Sequence, residues 1–147
     1  LALTAAETGH IVFATLHTSS APKTVDRVID VFSPAQQAQI RAQFAESIEA
    51  VITQTLCKKK GGGRVPALEI MTGTTAVRNL IREGKIHQIP GTMQVSQKDG
   101  MQTMDMALIG LVNRGLVTRE EAQSKSMNPN LLASIGPAPT AAAGARA

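Results

Sequence analysis

The chain has 147 residues, a formal net charge of +4 and 43% apolar residues, enough for one buried core with at most a small appendage. No stretch approaches the ~20 apolar residues of a membrane-spanning helix, and the single Cys57 excludes an internal disulfide and fits a reducing cytosol. With no Trp or Tyr and three Phe, the chain lacks the stacking surface of a single-stranded nucleic-acid binder, and the histidines at 10, 17 and 87 lack a spacing that favours a metal such as zinc.

Residues 4–10 read as the end of a helix, with Gly9 as its left-handed cap. Ile11-Val12-Phe13-Ala14-Thr15-Leu16 follows as an apolar run that suits a strand buried on both faces, as in a parallel sheet covered by helices. The chain then turns polar at His17-Thr18-Ser19-Ser20. Open α/β sheets bind ligands outside the carboxyl ends of their strands, which makes His17 the first candidate for a site and Thr18 a weaker one. A hydrogen-bonded histidine at a strand end is the plainer alternative. His10 lies at the other end of the same run. A six-residue strand spans ~20 Å, so both imidazoles cannot easily reach one phosphate.

Ser20 and Pro22 start a helix whose apolar face is Val25, Val28, Ile29 and Phe32. Ser33-Pro34 starts a second, carrying Ile40, Phe44 and Ile48. Val51–Leu56 is β-rich, and Val65–Met71 is its partner, with Pro66 favouring an edge. Between them lie Lys58-Lys59-Lys60 and Gly61-Gly62-Gly63-Arg64. This is a hairpin turn and not a phosphate loop: no Lys-Ser/Thr or helix follows the glycines, and nothing elsewhere matches Gly-x-x-x-x-Gly-Lys-Ser/Thr.

Thr72–Thr75 caps a helix over Ala76–Glu83, which Gly84 ends and whose inner stripe is Val77, Leu80 and Ile81. Arg78 and Arg82, four apart, share a face that reads as solvated. Residues 85–94 suggest a helix interrupted at Pro90. Met101, Met104, Leu108, Leu111 and Val112 mark another that ends near Gly115, and the methionines, with Met106, read as packing. Thr118-Arg119-Glu120-Glu121 has capping-box spacing. From Ala133 onward the Ala/Pro/Gly-rich composition predicts a disordered tail.

Three segments together resemble one family. Thr8–Thr18, holding His10 and His17, is similar to the histidine box of the secretion ATPase superfamily. Ala76-Val77-Arg78-Asn79-Leu80-Ile81-Arg82-Glu83 resembles the Ala-Ile-Arg-Asn-Leu-Ile-Arg-Glu motif of the type IV pilus retraction ATPases, with Val77 for Ile. Gln54-Thr55-Leu56, Gly61–Arg64 and Gly100-Met101-Gln102-Thr103-Met104-Asp105 fit the same family. The resemblance covers residues 1 to about 127.

The resemblance implies an α/β fold: the C-terminal part of a RecA-like P-loop ATPase domain, with an antiparallel hairpin and a helical C-terminal subdomain. Residues 1–72 would belong to the ATPase core, 73–127 to the helical subdomain and 128–147 to the tail. It implies a homo-hexameric motor that hydrolyses ATP with Mg²⁺ and drives pilus retraction and twitching motility. That motor would work in the cytoplasm at the inner face of the bacterial inner membrane, against an inner-membrane platform protein, without inserting in the membrane or binding nucleic acid. His17, with Thr18, would act at the γ-phosphate or attacking water. Residues 76–83 would couple nucleotide state to retraction. The phosphate loop and acidic boxes would precede Leu1, so the chain alone is expected to be inactive. The alternatives are an accessory or extension pilus or type II secretion ATPase, and a non-catalytic interaction domain of the same fold.

Overall fold

A computed structural model of the chain describes residues 2–128 and 130–134. Its helices are α1 (Ala2–Glu7), α2 (Ala21–Asp30), α3 (Pro34–Ser47), α4 (Thr75–Arg82), α5 (Ile89–Val95), α6 (Met104–Asn113), α7 (Arg119–Lys125) and α8 (Leu131–Ser134). Strands β1 (Ala50–Lys58) and β2 (Arg64–Thr72) form an antiparallel hairpin, paired from Ala50↔Thr72 to Lys58↔Arg64. The mixed α/β composition, the hairpin and the helical C-terminal half agree with the fold expected from the sequence.

Strand alternation places Val51, Thr53, Thr55 and Cys57 on one face of β1 and Val65, Ala67, Glu69 and Met71 opposite them. This face spans two hydrophobic clusters. Met71 and Val51 join the first, with Val25, Ile29, Val77, Ile81, Ile89 and Met93. Cys57, Ala67 and Val65 join the second, with Leu108, Leu111, Val117 and Leu131. The pair between them, Thr53↔Glu69, is polar and buried.

The turn is built as its glycines require: Gly61, Gly62 and Gly63 all have positive φ, at 83°, 106° and 76°. Pro66 is tolerated for a definable reason. Gln102 pairs with the outer edge of β2, exchanging bonds of 2.8 and 2.9 Å with Ile70 and donating from Nε2 to the Leu68 carbonyl at 2.7 Å. The even-numbered residues of β2 therefore turn their backbone polar groups away from β1, and Pro66 removes no bond from the hairpin ladder.

Several expectations need correction. Ile11–Leu16 is not a buried strand: residues 10–18 have no regular structure, and Ile11 and Phe13 are 85% and 95% exposed. A parallel strand needs neighbours to take its N–H and C=O groups, and among the described residues the hairpin is the only sheet. Pro90 does not interrupt a helix; it lies in the first turn of α5, where its missing N–H costs nothing. Met101 precedes α6 and packs in the first cluster. The capping box is half made. Thr118 Oγ1 accepts from Glu121 N, but the Glu121 carboxylate accepts from Lys58 N at 2.8 Å, tying α7 to the end of β1. Within the tail expected over 128–147, residues Leu131–Ser134 form α8 and Leu131 is fully buried. Residues 135–147 lie outside the described residues.

Candidate functional site

The polar turn after the apolar run is held by the start of α2. The first N–H groups of a helix lack intrahelical partners; those of Ala21–Lys23 are accounted for, and Thr24 N makes the first intrahelical bond. Ala21 N donates to Glu69 Oε1 at 2.6 Å, Pro22 has no N–H, Lys23 N donates to Ser20 Oγ at 3.4 Å and Thr24 N donates to the Ser20 carbonyl at 3.0 Å. Lys23 Nζ also donates to Ser19 Oγ at 3.2 Å.

Thr24 Oγ1 donates its one proton to the Ser20 carbonyl at 2.9 Å and lies 2.6 Å from Thr18 Oγ1. A hydroxyl has a single proton, so Thr18 is the donor of the second bond. The Thr18 oxygen then offers only lone pairs. It can face a donor such as a metal-bound water, but it cannot donate to a phosphate oxygen while this chain of bonds is intact. His17 is exposed and makes no hydrogen bond or ion pair among the described residues, so both ring nitrogens are available. His10 differs: its Nδ1 is 3.1 Å from Thr8 Oγ1, within its own turn. Leu16, next to His17, lines a mostly apolar cleft of ~300 Å³ with Leu3, Arg27, Val28, Phe32 and Ile40. The cleft offers packing, with Arg27 as its single charged lining residue.

The residue that sequence reasoning missed is Glu69. It is 8% exposed, on the inward face of β2. Oε1 accepts from Ala21 N and Oε2 from Met104 N at 3.3 Å, so one carboxylate meets the N-termini of α2 and α6. A negative charge is favourable at both ends of such a bridge, because a helix N-terminus carries partial positive charge. The signal was present: an acidic residue in the alternation Val65-Ala67-Glu69-Met71 stands on an apolar face.

The motif helix α4 lies against the end of α3. Val77 and Ile81 are fully buried and Leu80 half-buried, as expected. Arg78 departs from expectation. Its guanidinium donates to the Gly73 carbonyl (2.6 Å), the Ala45 carbonyl (2.9 Å), the Glu46 carbonyl and Glu49 Oε1 (3.0 Å). Two of these carbonyls belong to the last turn of α3, which has no intrahelical donors left for them. Arg78 is thus a clamp on the α3 C-terminus, and not a free side chain on a solvated face. Gly73 closes the same junction: a Cβ there would lie 2.2 Å from the Ile48 carbonyl oxygen. Arg82 is more exposed and bonds Asn79 Oδ1 at 2.7 Å and the Glu46 carboxylate. Ala76, Asn79 and Glu83 are exposed. Glu83 pairs with Lys85 at 2.7 Å, and that hydrogen bond and charge hold its carboxyl below the usual range. Elsewhere, burial and the nearby Glu121 charge push the Cys57 thiol up.

The hairpin is thus joined to the helices through buried backbone–carboxylate contacts, preceded by an exposed histidine segment and followed by an arginine-bearing motif helix. The chain belongs to the type II/IV secretion system protein family, whose model matches residues 1–128. It is 58% identical over 129 residues to the type IV pilus retraction ATPase PilT of Pseudomonas aeruginosa, covering 88% of this chain and 38% of that protein. It is 53% identical over 129 residues to a twitching motility protein of Neisseria gonorrhoeae, covering 87% of this chain and 34% of that one. The crystal structure of the pilus retraction motor PilT with bound ADP matches with a TM-score of 0.79 at 45% identity, over 88% of this chain and 36% of that chain. The chain thus spans somewhat over a third of the length of these relatives.

Proposed function

We propose that this chain is the C-terminal part of an ATPase that powers type IV pilus retraction and twitching motility. The observation that carries this reading is 58% identity to a pilus retraction ATPase over 129 residues, with residues 76–83, on α4 and its C-cap, matching the retraction-type motif but for Val77. The whole protein would be a homo-hexamer acting in the cytoplasm, at the inner face of the inner membrane, against a platform protein of the pilus machinery. Residues 1–72 would belong to its ATPase core and 73–127 to its helical subdomain.

The nucleotide would be ATP with Mg²⁺, held mainly by residues outside this chain, since no phosphate-loop sequence occurs in it. Two residues present fit such a ligand. His17 has both ring nitrogens free, and imidazole can donate or accept near neutral pH. The acceptor-only oxygen of Thr18 suits a metal-bound water better than a phosphate oxygen. When bound, the Mg²⁺-nucleotide supplies the phosphoryl group; His17 would orient or stabilise the γ-phosphate or attacking water. The exposed run Ile11–Leu16 would be covered by further strands of the whole domain, which accounts for its nearly unbroken apolar pattern. Helix α4 would couple nucleotide state to retraction through its exposed residues Ala76, Asn79 and Arg82 and the C-cap Glu83, with Arg78 fixing its seat.

The test uses the full-length protein. Losing one preorganised polar contact to the transition state costs ~10²–10³ in rate, so His17→Ala should lower ATP turnover by that order and His10→Ala far less. Equal, small losses in assembled protein overturn the assignment. Arg82→Ala with Asn79→Ala should abolish twitching while turnover falls only partly; normal twitching removes α4 from the coupling path.

A further inference from the structure

We propose that Glu69 is a positioning residue that links the turn carrying His17 to the N-terminus of α6, so that the two move as one. The inference rests on the reading of His17 as a nucleotide-site residue. Glu69 is 48 residues from Ala21 and 35 from Met104, yet a bond to each meets on its one carboxylate, at 2.6 and 3.3 Å. Ala21 begins the helix that directly follows His17–Ser20. Met104 begins the helix that follows Gln102 after the N-cap Thr103, and the backbone and side chain of Gln102 grip the outer edge of β2 at Ile70 and Leu68. The carboxylate stands on the hairpin midway between the two hydrophobic clusters, opposite Thr53.

The chemistry of the side chain matters. Both of its partners are N–H donors, so both of its oxygens must accept, and only a carboxylate provides that. An apolar residue would suit the packing of this face but would leave two helix-end donors unmet. Glutamine keeps the volume but presents an NH₂ to one of the two N–H groups, breaking one link and leaving the other. A displacement of α6 is therefore transmitted through Glu69 to the first residue of α2, and so to the turn that holds His17.

The experiment is a double-mutant cycle on ATP turnover in the full-length protein. A misplacement of a reacting group by a fraction of an ångström to an ångström is costly, so Glu69→Gln should lower kcat on the order of tenfold with KM for ATP unchanged. In a His17→Ala background the same substitution should cost less than about twofold, because the group being positioned is gone. An equal fold-loss in both backgrounds, or no loss in the wild-type background, overturns the inference while leaving His17 in its role. Unchanged turnover in His17→Ala alone overturns the reading of the site itself, and the inference with it. Should Glu69→Gln not assemble, hydrogen exchange on the wild-type protein decides. Addition of a non-hydrolysable ATP analogue with Mg²⁺ should change protection at Ala21 and Met104 together; a change at one alone, or at neither, overturns the link.

Discussion

Arg78→Ala should unfold the protein more easily by several kcal/mol, although sequence alone reads this arginine as surface. The magnitude follows from its four acceptors. The pair with Glu49 is worth little, because the Glu49 side chain is 87% exposed and exposed ion pairs contribute about 0–1 kcal/mol. The other three acceptors are backbone carbonyls of Gly73, Ala45 and Glu46, at a junction where the Arg78 side chain is only 21% exposed. Hydrogen bonds to a charged donor contribute about 1.5–3 kcal/mol when water is excluded. Water can replace part of this at the half-open Glu46 side, so about 1 kcal/mol each is a fair discount. The sum is about 3 kcal/mol. Arg78→Lys should recover little of it, since an ammonium cannot span carbonyls of two segments as a planar fork does.

The assay is equilibrium urea unfolding followed by circular dichroism. With a slope of about 2 kcal/mol/M, typical of a small domain, the midpoint of Arg78→Ala should fall by about 1.5 M with the slope unchanged. Arg82→Ala is the control: its contacts are exposed, and it should shift the midpoint by less than about 0.5 M. A midpoint for Arg78→Ala within the range of the control refutes the clamp.

Gly73→Ala should cost about 3 kcal/mol by the same assay, because its Cβ would sit 2.2 Å from the Ile48 carbonyl oxygen of fixed backbone. Cys57 is fully buried with its thiol pushed up, so alkylation by iodoacetamide should be very slow in the folded protein and rapid in urea; fast native labelling contradicts the packing. Burial and the Asp30 charge raise the Asp26 carboxyl above its ordinary 3.8, against a smaller opposing pull from Arg41. The folded state therefore holds that proton longer, and ionised Asp26 costs stability at pH values above its folded pKa. Asp26→Asn should accordingly raise the urea midpoint at about pH 7 and give no gain at about pH 3.

Local rules carried the sequence reading a long way. Proline after serine marked the starts of α2 and α3, positive-φ glycines marked the hairpin turn, and helical spacing placed Val77 and Ile81 inward. Each depends on neighbours within a few residues. What was illegible depends on residues far apart. Glu69 stands out as an acid on an apolar strand face, but what it does is hidden until α2 and α6 bring two N–H groups to it. Arg78 looks solvated until the end of α3 arrives beneath it with unmet carbonyls. Glu121 has the spacing of a capping box, but the end of β1 competes for its carboxylate and wins. The apolar run Ile11–Leu16 was misread for the opposite reason. Its pattern specifies a buried strand, and its burial depends on partners that the described residues do not supply.

The two junctions share one physical device. At each, a single charged side chain satisfies backbone groups at helix ends that belong to distant segments: Glu69 takes the N–H groups of α2 and α6, and Arg78 supplies donors to the carbonyls of α3 and Gly73. Such contacts fix helices relative to one another more tightly than side-chain packing does, because a small slide along either axis breaks a directional bond. It follows that α4 cannot shift relative to the end of α3 without losing the Arg78 bonds, so the motif helix and α3 behave as one body. The exposed rim of that body includes Asn79 and Arg82 on α4 and Glu46 on α3, already joined by hydrogen bonds. The coupling role proposed for the motif would therefore extend beyond its eight residues, with Glu46 as part of the surface that passes force to or from α4.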